Sequence, residues 1–350
     1  MRRSTLAIFA AALVTLTACA SGGRGSASPT GEASAAAIEP TRPVEFVIST
    51  APGGGSDIYA RAMATIIESK KLSPQTVQPL NKEGGSGAVA FNYVFEKKGD
   101  MHYIMITLNS FFTTIIVQKL PYKATDFTPI ANLALDPFFL WVNEDCFAAA
   151  NPDCPGSPWK TAQDFVKAAQ ETSLTVAGTG SKQEDEALFR RIEDTMKTKP
   201  FTYITQTSGA TVAAALAGRQ GKVVATVNNP SEGLPLYSAS PRRLRPLCAF
   251  MPESPKTGPY ANLATCKSQG LGIDDYFIMR AVMGPPGLSS GQQRFWVDVF
   301  KKVFDSEEWK KFMTDNALQP EFKSGLEFRQ FILQYQELHQ QIATKFKWVS

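Results

Sequence analysis

Short apolar runs alternate with amphipathic stretches along most of this chain. The run Val44–Thr50 predicts a strand, and Asp57–Glu68 predicts a helix because its apolar residues recur at helical spacing on one face. Further strands are predicted at Thr76–Leu80, His102–Leu108, Leu174–Ala177, Phe201–Thr205, Val223–Val227 and Tyr276–Met283. Further helices are predicted at Ala88–Lys97, from about Phe111, and at Thr161–Gln170, Gln183–Met196, Ala210–Ala217, Ser290–Phe304, Glu307–Asn316 and Leu326–Lys345. This alternation predicts an α/β fold with a parallel-rich sheet covered by helices.

Glycine, serine, threonine and asparagine concentrate where the predicted strands pass into helices. Ala51–Asp57 (APGGGSD) holds three consecutive glycines, and a helix that begins there presents free backbone N–H groups and the positive end of its dipole. Comparable turns occur at Gly84–Ala88, Asn109–Ser110, Gly178–Lys182, Ser208–Gly209 and Asn228–Ser231. Ligands of open α/β sheets bind beyond the carboxyl ends of the strands, so two lobes that face each other with such turns would enclose a carboxylate.

The N-terminus has the pattern of an export signal. Arg2 and Arg3 precede the apolar run Leu6–Leu16, which is too short to span a bilayer. The run ends in Leu16-Thr17-Ala18-Cys19, which resembles the lipobox of bacterial lipoproteins, where cleavage precedes a cysteine that is then lipidated. Residues 20–38 are rich in Ser, Gly and Ala, as a flexible tether would be. The alternative is an ordinary signal peptide with an incidental cysteine.

Length and composition favour a two-lobed globular domain after the tether. The chain has 350 residues, and what remains beyond the tether exceeds one typical core. Hydrophobic residues make up 43% and charged residues 19%, and the net charge of +4 gives no basis for nucleic-acid binding. No second apolar segment is long enough to cross a membrane.

The cysteines predict disulfides. Besides Cys19 the chain has Cys146, Cys154, Cys248 and Cys266, an even count in a chain with an export signal. Of the possible pairings we favour the local one, Cys146 with Cys154 and Cys248 with Cys266, because each pair brackets a Pro-containing loop. A metal site is the remote alternative, since the spacings fit no zinc pattern, and no metal is expected.

Motifs that would indicate an enzyme are incomplete. Gly84–Ala88 lacks the final glycine of a G-x-S-x-G elbow, and only two histidines are available to a Ser-His triad. Gly178–Lys182 reads G-T-G-S-K and departs from the phosphate-binding G-x-x-x-x-G-K-[ST], and no dinucleotide fingerprint is present. We therefore expect no enzymatic activity and no cofactor, with a hydrolase as a remote alternative.

The first turn carries a resemblance to a known family. Ala51-Pro52-Gly53-Gly54-Gly55-Ser56-Asp57-Ile58-Tyr59-Ala60-Arg61 resembles the A-P-G-G-G-x-D-x-x-A-R motif of the Bug family, the substrate-binding receptors of tripartite tricarboxylate transporters. Weaker matches are Gly84–Ala88 with Asn92, Leu120-Pro121-Tyr122, Asp126–Ile130 and Gly284–Gly287, so that the similarity extends over about residues 43–342. The resemblance implies a type II periplasmic-binding-protein fold, with two α/β lobes, a hinge of crossing segments, and a small carboxylate held between the lobes.

The resemblance also implies boundaries. The export signal would occupy residues 1–18, the lipidated tether residues 19–42, the first lobe residues 43–142 with 251–350, and the second lobe residues 143–250. Family contacts map onto the first, second, fourth and fifth turns. The third turn, Leu108–Phe112, and the segments Thr205–Gly209 and Val227–Asn229 depart from the family pattern, which leaves the identity of the ligand open. The candidate ligand-binding residues are Pro52, Gly53, Gly54, Ser56, Asp57, Gly85, Ser86, Gly87, Ala88, Asn109, Ser110, Phe111, Thr179, Gly180, Ser181, Lys182, Thr207, Ser208, Gly209, Asn228 and Asn229.

Several of these side chains have two interpretations. Asp57 could cap its own helix or contact the ligand. Phe111 and Phe112 could pack in the core, or one of them could stack on an aromatic or alicyclic acid. Lys182 could be solvated or could bind a second carboxylate, whereas Glu184–Glu186 is interpreted as a solvent-facing start of a helix.

The leading hypothesis is a monomeric, lipid-anchored receptor outside the cytoplasmic membrane. It would capture a small organic carboxylate, aromatic and dicarboxylic acids included, close over it and deliver it to membrane permease subunits. The alternative is a sensory lipoprotein that contacts a signalling receptor after binding the same kind of ligand.

Overall fold

The computed structural model describes residues 36–273 and 275–349. The predicted export signal, Cys19 and the first part of the predicted tether lie outside the described residues. No helix in the described ranges is both long and apolar enough to cross a bilayer.

Strands and helices alternate in the order that the sequence pattern predicts, with further strands between them. The strands are β1 (Val44–Ile48), β2 (Val77–Asn81), β3 (Tyr103–Thr107), β4 (Thr128–Pro137), β5 (Phe139–Asn143), β6 (Thr175–Thr179), β7 (Thr202–Gln206), β8 (Ala225–Asn228), β9 (Leu244–Ala249), β10 (Phe277–Gly284) and β11 (Gln319–Ser324). The helices are α1 (Gly55–Ser69), α2 (Ala88–Phe95), α3 (Ser110–Val117), α4 (Glu144–Ala148), α5 (Ala162–Glu171), α6 (Glu184–Met196), α7 (Gly209–Ala217), α8 (Pro230–Tyr237), α9 (Ser290–Asp305), α10 (Glu307–Asp315) and α11 (Gly325–Lys345). Predicted and observed elements differ by a few residues at their ends.

The described residues form two sheets, and both are mixed. The first has the order β11-β4-β10-β3-β1-β2 and the second the order β7-β6-β8-β5-β9. In the first sheet β1 pairs in parallel with β2 and β3, whereas β10 is antiparallel to both β3 and β4. In the second sheet β6 is parallel to β7 and β8, whereas β5 is antiparallel to β8 and β9. The parallel part of each sheet corresponds to the predicted strand–turn–helix repeats, and the antiparallel strands connect the lobes.

The chain passes between the two sheets at Phe138. β4 ends at Pro137 in the first sheet, and β5 begins at Phe139 in the second. This crossing lies inside the segment predicted for the first lobe, which extended to residue 142. The chain returns between β9 and β10, so that two crossings join the lobes and form the hinge region.

The C-terminal helix packs on both lobes. Phe328 and Ile332, near the start of α11, belong to a core cluster of the first lobe. Ile342 and Ala343, near its end, belong to a core cluster built mainly from second-lobe residues. Lys345 forms an ion pair of 2.7 Å with Asp194 on α6. The helix therefore connects the lobes through apolar and charged contacts.

Both local disulfides are confirmed. Cys146 is bonded to Cys154 and Cys248 to Cys266, and all four residues lie in the second lobe. The loops they close differ in length, with sequence separations of 8 and 18 residues. Because a cross-link stabilises mainly by restricting the unfolded chain, the longer loop should contribute more.

Replacing Cys248 and Cys266 together by alanine should lower the free energy of unfolding by about 3 kcal/mol. The matched double alanine variant of Cys146 and Cys154 should lose somewhat less, because its loop is shorter. Urea unfolding curves of both variants and the unmodified protein measure the two losses. A larger loss for the shorter loop would contradict the chain-entropy explanation.

Candidate functional site

A cavity lies between the lobes at the carboxyl ends of the parallel strands. We call it the outer cavity; its volume is about 540 Å³. The first lobe contributes Ser49 and Thr50 after β1 and residues 83–86 after β2. The second lobe contributes residues 179–181 and Gln183 after β6 and residues 205–207 at the end of β7. Strand–helix turns from both lobes therefore surround one space.

A much smaller void continues inward from the outer cavity. This inner void has a volume of about 20 Å³. It shares Thr50, Thr179 and Gln183 with the outer cavity, so that the two spaces adjoin. Its remaining lining residues are Gly55, Ser56, Leu108, Glu184, Asp185, Gly209, Asn229, Glu232, Ile278 and Arg280. The outer cavity is formed largely by backbone and hydroxyl groups, and the inner void by charged groups.

Unpaired backbone amides surround the outer cavity. Within the described residues, the N–H groups of Gly85, Ser86 and Ser181 have no acceptor in the protein. Helix α2, which begins just after Gly85 and Ser86, has no side-chain hydrogen bond at its N-cap. In contrast, α5 and α9 have side-chain N-caps. Free donors near a helix start are the arrangement that favours a bound anion.

The first turn, in contrast, is closed by the protein itself. The N–H of Gly53 donates to the Asp57 carboxylate at 3.0 Å, and the N–H of Gly54 donates to the Ala51 carbonyl. Asp57 also accepts from Arg61 Nε at 2.9 Å and from Asn81 Nδ2 at 3.0 Å. Against the raising effect of burial, these hydrogen bonds hold the pKa of Asp57 below its usual range. Asp57 therefore closes the turn that precedes α1 and has no free carboxylate, although the N-cap of α1 itself has no side-chain hydrogen bond.

A carboxylate from the second lobe occupies the start of α1. Glu232, on α8, accepts a hydrogen bond of 2.5 Å from the Gly55 N–H. The absence of a side chain at Gly209 makes room for it, because a Cβ there would lie 2.1 Å from each Glu232 carboxylate oxygen. Burial raises the pKa of Glu232 to about 7, against the lowering effect of Arg280. The chain thus places its own carboxylate where the first turn was expected to hold a ligand.

The acidic start of α6 is buried, so its interpretation as a solvent face is wrong. Glu184 is 3% exposed and Asp185 is 5% exposed. Asp185 accepts a hydrogen bond of 2.6 Å from the Thr179 N–H. Burial raises the pKa of Glu184 to about 7, although the backbone N–H of Ser110, at the start of α3, lowers it. Both side chains line the inner void between the lobes, and a local sequence pattern does not reveal that burial.

A buried ion pair lies at the bottom of the inner void. Arg280 on β10 donates from Nε and Nη2 to Asp136 on β4, at 2.9 and 2.6 Å, and both side chains are almost completely inaccessible to solvent. Tyr59 on α1 donates its hydroxyl to Asp136 at 2.8 Å. Arg280 also donates to Asn229 Oδ1 of the second lobe at 3.1 Å. One guanidinium therefore joins the first sheet, α1 and the second lobe.

The structure separates the candidate ligand-binding residues into three groups. The outer cavity is lined by Gly85, Ser86, Thr179, Gly180, Ser181 and Thr207. The inner void is lined by Ser56, Thr179, Gly209 and Asn229. Neither space is lined by Pro52, Gly53, Gly54, Asp57, Gly87, Ala88, Asn109, Ser110, Phe111, Lys182, Ser208 or Asn228.

Residues of the third group have structural contacts of their own. Phe111 is fully buried and packs edge-on against Phe91 and Phe127, so the stacking role considered for it is wrong. Asn109 bonds the backbone of β10 twice. Its Nδ2 donates to the Phe277 carbonyl, and its Oδ1 accepts from the Met279 N–H. The other members of this group include two that act at helix starts: the Ser208 hydroxyl accepts from Thr211 to cap α7, and Asn228 Nδ2 donates to the Gly209 carbonyl.

The sequence analysis did not identify Arg280 and Glu232, which line the inner void, or Asp136, the partner of Arg280, as candidate site residues. Asp136 and Arg280 each stand as the lone charge in an apolar strand, within ANLALDPFFL and FIMRAVM, and this pattern indicates a buried ion pair. Glu232 follows the Pro230-Ser231 pair of α8 and has no comparable local feature. In the described part of the chain no cluster of His, Cys, Asp and Glu has the arrangement of a metal site.

Comparison with known sequences gives partial matches. No family model matches the chain. Protein BugT of Bordetella pertussis is 24% identical over 131 residues, which are 35% of this chain and 40% of that protein. A UPF0065 protein from the tcbD-tcbE intergenic region of Pseudomonas sp. strain P51 is 28% identical over 151 residues, 41% of this chain and 40% of that protein. The chain thus spans about two fifths of the length of these curated relatives.

Comparison with solved structures extends over most of the chain. A TctC solute binding protein from Polaromonas matches 88% of this chain and 100% of its own, with a TM-score of 0.61 and 22% identity. MatC of Rhodopseudomonas palustris with bound malate matches 87% and 99%, with a TM-score of 0.73 and 18% identity. Rpa4515 of R. palustris with adipate matches 87% and 97%, with a TM-score of 0.74 and 20% identity. The two-lobed periplasmic-binding-protein fold and the resemblance to the Bug and TctC proteins are confirmed.

Replacing Asp136 by asparagine should lower the free energy of unfolding by about 3–5 kcal/mol, because Arg280 would remain charged and buried without its partner. Asp315→Asn is the matched control, since it breaks the exposed pair with Lys311 and should change stability by less than about 1 kcal/mol. Urea unfolding measures both values. Equal losses in the two variants would contradict a special role for the buried pair.

Glu232 should make stability depend on pH. Its pKa rises from 4.5 to about 7 on folding, so the folded chain binds more protons than the unfolded chain in that window. The stabilisation is therefore present below about pH 4.5 and is lost as the pH rises through about 7. Thermal melts from pH 5 to 8 should show a smaller fall in stability for Glu232→Gln than for the unmodified protein. The exposed Glu171→Gln variant should retain the full fall, and an unchanged profile in Glu232→Gln would refute this assignment.

Proposed function

We propose that this protein is a solute-binding receptor that captures a small organic carboxylate between its lobes outside the cytoplasmic membrane. The observation that carries the proposal is the outer cavity, where the unpaired N–H groups of Gly85 and Ser86 from one lobe face the turn with Ser181 from the other. A hydrogen bond to a charged acceptor contributes roughly 1.5–3 kcal/mol. Three such donors contribute roughly 4.5–9 kcal/mol. Micromolar affinity requires roughly 8 kcal/mol beyond the free energy lost on association, so other groups of the cavity must contribute as well.

Closure around the ligand follows from the distribution of these donors. A carboxylate in the outer cavity contacts both lobes only when the lobes are close together, and this differential affinity favours the closed state. Contacts across the cleft already hold the lobes: Gln183 donates to the Ser86 carbonyl at 2.9 Å, and Gly55 donates to Glu232. The ligand adds hydrogen bonds to an interface that the protein has partly formed.

The finer parts of the proposal concern the anchor and the partner. The lipobox-like Leu16–Cys19 supports a lipid anchor at Cys19, and the following Ser-, Gly- and Ala-rich segment supports a tether to the membrane. Similarity to TctC-type and Bug proteins supports delivery to a tripartite tricarboxylate-type permease. A tether keeps the receptor close to its permease and so raises the effective concentration. The bound malate of MatC and the adipate of Rpa4515 support a small carboxylate as the ligand class.

Calorimetric titration of the purified, ligand-free protein with small mono- and dicarboxylates should detect at least one ligand of micromolar affinity. Thr207→Trp should weaken its binding about tenfold or more, because an indole ring there would fill part of the outer cavity. The control is Thr202→Trp, which places the same ring at the opposite, exposed end of β7 and should leave the affinity unchanged. Equal affinity in both variants, or no binding by any carboxylate, would overturn the proposal.

A further inference from the structure

The inner void is more acidic than the outer cavity, whose lining contains one carboxylate residue, Glu83. Its lining contains the carboxyl groups of Glu184, Asp185 and Glu232, all of them buried. Arg280 is the only basic residue in this lining within the described chain, and its guanidinium is already bonded to Asp136. Carboxyl groups therefore outnumber the cation that could balance them.

One of these carboxyl groups lacks a partner at an atom that faces the void. The Oε1 atom of Glu184 has no hydrogen-bond partner within the described residues, although the side chain is 97% buried, being 3% exposed. Thr50, which also lines the void, has a buried Oγ1 without a partner. Buried polar atoms are normally hydrogen-bonded, so these two oxygens indicate a missing donor.

The size of the void limits what that donor can be. A space of about 20 Å³ holds roughly one water-sized group. An ammonium group fits this description, and so does the N–H₂ end of a carboxamide, which donates where the oxygen of an equally large carboxylate only accepts. A carboxylate would also bring only acceptor oxygens to the carboxyl groups of Glu184, Asp185 and Glu232, and no donor for Glu184 Oε1.

One place for a second ligand carboxylate is already occupied. The start of α1 binds the Glu232 carboxylate through the Gly55 N–H. In the described residues, the N–H groups of Ser56 and Gly209 beside the inner void have no acceptor, and neither do those of Gly85, Ser86 and Ser181 beside the outer cavity.

We infer that the ligand carries a hydrogen-bond-donating nitrogen, an ammonium or a carboxamide, that enters the inner void and donates to Glu184 Oε1, while its carboxylate stays in the outer cavity. The inference rests on the proposed function and narrows its ligand class from carboxylates in general to those with a nitrogen donor at the far end. Glu184 is then the residue that selects against dicarboxylates of the same length.

The test compares ligands that differ only at one end. Calorimetric titration uses glutarate, its monoamide, 5-aminopentanoate and pentanoate, together with the corresponding sets one carbon shorter and longer. In at least one set the monoamide or the amino acid should bind about tenfold or more tightly than the dicarboxylate. The two nitrogen compounds separate a neutral donor from a cationic one, and pentanoate measures the contribution of the carboxylate and chain alone.

The variant Glu184→Gln tests the assigned residue. It keeps the shape of the side chain but removes the carboxylate, and should reduce the preference for the nitrogen compound over the dicarboxylate about tenfold or more. Glu171→Gln makes the same substitution at an exposed position of α5 and should leave the preference unchanged. Because the readout is a ratio of two affinities, a general loss of structure would not imitate it, and thermal melts confirm that both variants are folded.

The outcomes separate the inference from the proposed function. Dicarboxylates that bind as tightly as their nitrogen analogues in every set would refute the inference while the receptor function stands. An unaltered preference in Glu184→Gln would refute the role of Glu184. No binding by any compound would overturn the proposed function, and the inference with it.

Discussion

The arrangement of the whole cleft depends on one ion pair that is shielded from water. Arg280 and Asp136 neutralise each other where β10 and β4 approach the second lobe. Tyr59 donates to Asp136 Oδ2 and Arg280 donates to Asn229, whereas Asp136 Oδ1 has no partner within the described residues. A charge at this depth is tolerated only when its partner and its remaining donors are fixed. The pair therefore sets the relative positions of α1, the first sheet and α8, and it also explains why the neighbouring carboxyl groups find no free cation.

The helix starts that border the cleft from the first lobe differ in the acceptors they find. That of α1 donates the Gly55 N–H to Glu232 of the second lobe. The N–H groups of Gly85 and Ser86, by α2, have no acceptor in the protein within the described ranges. Since an anion binds best where amides are unpaired, this division moves the binding site away from the glycine-rich first turn and toward the second.

Most of the fold could be predicted from the chain itself because its parallel units are local. A strand, a small-residue turn and an amphipathic helix are all visible within about 25 residues, and so are the short disulfide loops. The strands β4, β5, β9 and β11 were not predicted, whereas β10, whose pairing is equally non-local, was. The burial of Glu184 and Glu232 was not predicted because part of the surface that covers them belongs to the opposite lobe, and a helical pattern describes only its own helix.

The position of α11 limits how far the two halves of the molecule can separate. Its first turns are embedded in one core and its last turns in the other, with Lys345 bound to Asp194 at the far end. A wide swing at the two crossings would strip apolar side chains such as Ile342 out of their core and expose them to water. A motion that keeps both ends of this helix packed is consequently a small rotation of one half against the other.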